Sequence, residues 1–151
     1  MTALPDGGYA VELGDAEREV LRRLAEELRE LLTADDPAVA RLFPAAYRDD
    51  PAASAEYEGL VRDGLLGGRL DALTRLDATA GAKRLSHADV EAWCGVLNDL
   101  RLVLGERLGV TEDLYEEDID PRDPRAPELA VYGWLTWLQG EVVEALSTRL
   151  E

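Results

Sequence analysis

The stretch Ser86–Gly109, SHADVEAWCGVLNDLRLVLGERLG, constrains the chain most, because both helix ends and the buried face are written into it. Ser86, followed three residues later by Asp89, forms a capping-box-like start in which a hydroxyl and a carboxylate satisfy orphan amides. Gly109 suits the left-handed position that closes a helix. Between them Val90, Trp93, Leu97, Leu100, Leu104 and Leu108 recur at steps of three and four, which puts them on one helical face. A stripe this complete has to be covered by other elements. The sequence therefore predicts an all-α fold: a helical bundle of about four main helices plus short helical segments, packed around this one. Arg101 falls inside the stripe, about 40° from Leu97. Together with Asn98 it marks a structural polar centre, since a guanidinium there must reach water or meet a carboxylate. Glu56, Asp63 and Glu141 are the candidate acids.

The remaining elements follow from their caps. Residues 1–14 read as an extended N-terminal segment, from the alternation of Tyr9, Val11 and Leu13. Asp15 is placed as the N-cap of an amphipathic helix to about Thr33, with Leu21, Leu24, Leu28, Leu31 and Leu32 on its apolar side. Asp36–Pro37 and Asp50–Pro51 each pair an N-cap with proline at the first helical position. The first opens a short turn through Leu42; the second opens a long helix to about Ala80, with a bend or a close helix contact at Gly67–Gly68. That long helix is apolar on two sides, which predicts a central place in the bundle or a shared one. Phe43 and Tyr47 are expected to anchor the connection between the two, and Gly81–Leu85 reads as a turn. Thr111 caps a short segment before an acidic stretch at 112–128, broken by Pro121, Pro124 and Pro127. Pro127 then opens a last helix reaching Leu150, with Val131, Trp134, Leu135, Leu138, Val142 and Leu146 inward. With 151 residues and no linker, residues 1–151 read as a single domain.

Charge narrows the partners. Sixteen basic residues against 32 acidic ones give −16, a field that repels phosphate backbones and anionic membranes and favours a basic protein partner. No apolar run spans a bilayer and no signal peptide is legible, so the expected setting is the cytoplasm. The acidic stretch lacks EF-hand spacing and reads as a solvated loop or a docking surface, not a metal site. His87 stands beside a helix cap, and Ser54, Ser86 and Ser147 lack a nucleophile context. No catalytic, cofactor or metal set emerges, and the chain reads as a non-enzyme.

Two residues carry sharper expectations. Cys94, the single cysteine, excludes an intramolecular disulfide; next to Trp93 it reads as a small buried hydrophobe, with a redox-active thiol as the alternative. Trp137 lies roughly 120° from the centre of the last helix's core stripe, on a side shared with Gly133, Gly140, Glu144 and Thr148. A large aromatic among small and polar residues points to a homodimer or partner interface, against the plainer alternative of packing within its own chain.

Three stretches, LFPAAYRDD at 42–50, AWCGVLNDLRLVLGERLGV at 92–110 and VYGWLTWLQ at 131–139, resemble an actinobacterial family catalogued as a domain of unknown function, one that includes the oxidative-stress transcriptional regulator AosR. The specific parts are Asn98–Leu102 with Leu104–Gly105, then Tyr132, Trp134–Thr136 and Leu138–Gln139. The resemblance implies an α-helical domain and, for some members, control of redox-responsive transcription through the transcription machinery. Such members are thought to sense oxidation through a cysteine pair. With Cys94 alone that switch does not transfer as an internal disulfide, although an intermolecular one stays open. Three modes of action follow. The first is regulation by binding another protein, such as a sigma factor or other transcription-associated partner. The second is direct DNA binding through arginines such as Arg18, Arg22 and Arg29. The third and weakest is an enzyme with a polar pocket around Arg101.

Overall fold

The computed structural model, which describes residues 1–43, 51–110 and 120–149, shows how the stripe is covered. Strands β1 (Thr2–Ala3) and β2 (Tyr9–Ala10) precede α1 (Asp15–Thr33), a 3₁₀ turn (Pro37–Leu42), α2 (Pro51–Thr79), β3 (Arg84–Leu85), α3 (His87–Leu108) and α4 (Ala126–Arg149). Helix α3 is the centre: α1, α2, α4 and the 3₁₀ turn all pack on it. Val90, Trp93 and Leu97 are fully enclosed. Its caps are those the sequence predicts. Ser86 Oγ accepts the Asp89 amide at 3.1 Å, Asp89 Oδ2 accepts the Ser86 amide at 2.9 Å, and Gly109 closes the helix at φ +65°. The Trp93 indole donates to Thr79 Oγ1 at 2.8 Å, tying α3 to the end of α2. The all-α expectation holds, with a small sheet added.

That sheet corrects two local expectations. Residues 2–10 form a hairpin, because Asp6–Gly7–Gly8 supplies a turn: Gly7 stands at φ +96° and Asp6 Oδ1 accepts the Gly8 amide at 3.0 Å. Arg84–Leu85, expected within a turn, is the third strand. The order is β1-β2-β3, all antiparallel, with Thr2 opposite Ala10 and Tyr9 opposite Leu85. Helix α1 begins one residue earlier than placed, with Gly14 and not Asp15 as N-cap; the Glu17 carboxylate accepts the Gly14 amide at 3.0 Å. Asp36 caps the 3₁₀ turn as expected, accepting the Ala38 amide at 2.9 Å.

Helix α2 is not the centre of the bundle. Leu73, Leu76 and Ala80, in and just after its C-terminal turns, enter the core, whereas Leu60 near its start is 72% exposed. It runs unbroken through Gly67–Gly68, and a Cβ built at Gly64, Gly67 or Gly68 meets nothing within 4 Å. Neither a break nor a close neighbour accounts for these glycines among the described residues. Helix α4 buries Leu129, Leu135, Leu138, Val142 and Ala145. Arg125, just before it, donates to the Leu108 carbonyl at 2.7 Å and so links the end of α3 to the start of α4. The expectations for Tyr47, Thr111, the 112–119 half of the acidic stretch and Leu150 lie outside the described residues.

Candidate functional site

The residues that carry the family resemblance converge where α3 meets α4. Arg101 Nε donates to Thr136 Oγ1 at 3.1 Å, and Nη1 donates to Gln139 Oε1. Its guanidinium lies 5.6 Å from the centroid of the Tyr132 ring, a cation–π distance. Gly105 makes room for that ring, since a Cβ there would stand 3.2 Å from Tyr132 Cε2. Tyr132, Thr136 and Gln139 are four and three residues apart, so one face of α4 presents all of them to α3. The expected carboxylate partner is absent from this set. Arg101 is half-buried and held by neutral acceptors, and Glu56, Asp63 and Glu141 are not among its contacts. Asn98 is exposed, one helical step away from the face that meets α4. The polar centre is therefore Arg101, Thr136, Gln139 and Tyr132, without Asn98.

Among the described residues the buried charges are instead Arg18 and Asp99, at 6% and 7% exposure. Asp99, on α3, faces Arg69 of α2, whose Nε lies 3.3 Å from Oδ2 as an ion pair without hydrogen-bond alignment. Burial pushes the Asp99 carboxyl up to about 6, against the opposing pull of Arg69. Arg69 and Arg62 both stand over the Phe43 ring, at 5.6 and 4.2 Å from its centroid, and Arg62 also pairs with Asp35. Phe43 is half-buried there, packed against the core as an anchor for the connection. The sequence hides this cluster because Asp99 adjoins Leu100 and reads as the stripe's polar flank.

Arg18 is bound entirely by carbonyls. Nη1 donates to Ala80 and Ala82 at 2.7 Å each, Nε to Leu13 at 3.1 Å and Nη2 to Val11 at 3.4 Å. Two of these acceptors lie just past the C-terminus of α2, where orphan carbonyls and the helix dipole favour a cation. Arg22 pairs with Glu19, and Arg29 with Glu26 and Asp77. The three arginines proposed for DNA contact are thus one buried and two engaged with acids.

On the opposite side of α4 from Arg101, α1 and α4 enclose an open groove of about 310 Å³ lined by Ala16, Glu17, Val20, Ala130, Val131 and Trp134. Ala16 and Ala130 give it small side chains on both helices. Trp134 floors it, and its indole donates to Glu17 Oε2 at 3.1 Å, the residue that also caps α1. One turn further along α1, a void of about 30 Å³ continues the apolar seam between Leu24, Leu31, Leu104 and Leu135. Trp137 is 52% exposed, with Val143 at 46%. Gly140 is exposed and has nothing within 4 Å of an added Cβ, and Gly133 is half-buried. Cys94 is half-buried, and burial pushes its thiol up. His87 bridges the buried Tyr9 hydroxyl (2.9 Å) and exposed Glu91 (2.7 Å), a structural role at the sheet. In the described part of the acidic stretch, Asp120 and Asp123 pair with Arg122 and Arg125, and no metal-holding cluster occurs among the described residues. No helix among them is long and apolar enough to cross a membrane.

Residues 1–146 match the family described as Domain of unknown function (DUF2017). Proteins named oxidative stress regulator AosR in Mycobacterium bovis and Mycobacterium tuberculosis are 32% identical over 128 residues, covering 74% of this chain and 58% of theirs. A Mycobacterium leprae protein carrying the AosR name is 30% identical over 140 residues, covering 90% of this chain and 63% of its own. The chain thus spans about three fifths of the length of the curated relatives it matches. No solved structure matches it.

Proposed function

Given that this chain belongs to the DUF2017 family, we propose that it is a non-enzymatic regulator in an oxidative-stress response that acts by binding another protein. The names of its relatives support the regulatory role. The observation that carries the mode of action is Trp137, a half-exposed tryptophan on a chain of charge −16. Tryptophan is enriched at interface hot spots, and such a charge disfavours nucleic acid while drawing basic protein surfaces. The alternative, direct DNA reading, is less favoured because Arg18 is held by buried carbonyls and Arg29 pairs with Asp77, which leaves Arg22 as the exposed candidate. The proposed partner is a basic or transcription-associated protein, met in the cytoplasm.

Affinity capture from the native cytoplasm, under reducing and oxidising conditions, paired with binding to the chain's own promoter DNA across a salt series, tests this. Recovery of a discrete protein partner with no DNA retention above about 100 mM salt is the expected result. Salt-sensitive promoter binding without any protein partner would overturn it.

A further inference from the structure

The groove between α1 and α4 is an apolar slot on an acidic protein, and we infer that it seats a basic amphipathic helix of a partner protein. This inference rests on the regulatory reading above and says where and what that partner binds. From Ala130 to Trp137 the α4 wall runs about 10 Å, close to two helical turns, at 1.5 Å per residue. Helical spacing places Ala130, Trp134 and Trp137 on adjoining positions of α4, so the exposed Trp137 lies next to the groove's lining on that helix. Opposite them stand Ala16 and Val20. An alanine on each helix leaves room for a backbone, while Trp134 and Val20 offer apolar surface. This is the arrangement in which a helix seats its apolar stripe in a groove.

Charge selects the kind of helix. Glu17 is the one charged residue lining the groove, and the chain around it carries −16. A second copy of this chain would bring the same charge of −16 against its own kind, which like-charge repulsion opposes. An anionic lipid surface is repelled for the same reason. Lysine or arginine beside a leucine stripe satisfies both the rim and the floor.

The three tryptophans supply the test. In the full chain, indole N–H resonances of Trp134 and Trp137 report on the groove, while fully buried Trp93 serves as an internal control. The probe is an 18-residue amphipathic Leu/Lys helix, compared with a scrambled peptide of equal composition and with a Leu/Glu helix. The expected result is that the Leu/Lys helix shifts Trp134 and Trp137 but not Trp93, and that the scrambled and acidic peptides bind at least tenfold more weakly. Ala130→Arg should weaken the Leu/Lys helix at least tenfold with the Trp93 resonance in place, and Trp137→Ala should weaken it while the fold persists. Equal binding of helix and scramble, or shifts confined to other surfaces, would overturn the groove. So would sedimentation as a dimer that buries Trp137. A native partner that still binds the Ala130→Arg variant would sink the groove alone, whereas promoter binding with no protein partner would sink the regulatory reading.

Discussion

Two charged residues show how differently this fold holds ions. Arg101 is satisfied by a hydroxyl, an amide oxygen and an aromatic face, so its removal strands no carboxylate. Arg101→Met is therefore expected to cost about 1–2 kcal/mol, well short of a broken buried ion pair, as read by urea unfolding. Asp99 is the opposite case. Its folded pKa of about 6 stands above the ordinary 3.8, so between those values the folded state keeps a proton that the unfolded chain releases. Stability is fullest below that window, falls as pH rises through it, and levels off above it. Asp99→Asn should flatten this slope and gain up to about 3 kcal/mol at pH 7, less whatever the Arg69 pair contributes. Unfolding midpoints at pH 4.5 and 7 measure both. Arg101 was visible in the sequence because it interrupts an apolar stripe, whereas its partners were not: Thr136 and Gln139 are neutral and 35 and 38 residues distant. Asp99 is hidden because it sits at the polar flank of its stripe, whereas Arg18 lies on the buried face with Leu21 and Ala25 but reads in the sequence only as a surface arginine, since its carbonyl acceptors at Ala80 and Ala82 are remote.

At the scale of elements, helices with chemical punctuation were legible nearly to the residue. Ser86, Asp89 and Gly109 fix α3 through short-range hydrogen bonds and a backbone conformation, all local properties. Asp36–Pro37 does the same for the 3₁₀ turn. The sheet was not legible, because β3 pairs with a strand some 75 residues away and two-residue strands carry no periodicity. The peripheral place of α2 within its own chain is hidden for a related reason: apolar residues on two sides do not say which side finds a neighbour. Its glycines now give a signed expectation. With open space around a Cβ at Gly67 and Gly68, alanine there should stabilise the isolated chain by about 1 kcal/mol each. Thermal unfolding of the double variant checks this; a loss of stability would mean that another surface approaches α2 closely.

At the scale of the whole molecule, oxidation has little to act on. Cys94 is half-buried with its thiol pushed up by burial, which lowers the thiolate fraction on which oxidation depends. Partner binding should accordingly be the same within twofold for wild type and Cys94→Ser, in reducing buffer and after mild peroxide. An oxidation response that Cys94→Ser abolishes would make this thiol the sensor. The carbonyl cage of Arg18 has another consequence, which concerns time. Its acceptors at Ala80 and Ala82 are 62 and 64 residues along the chain. Closing so long a loop costs entropy before its contacts can repay it, so the guanidinium docks after the helices have assembled. Arg18→Met should then leave the refolding rate nearly unchanged and accelerate unfolding on the order of a hundredfold, for a loss of about 3 kcal/mol, in stopped-flow chevrons. Arg18 sets how long the fold lasts, not how quickly it forms.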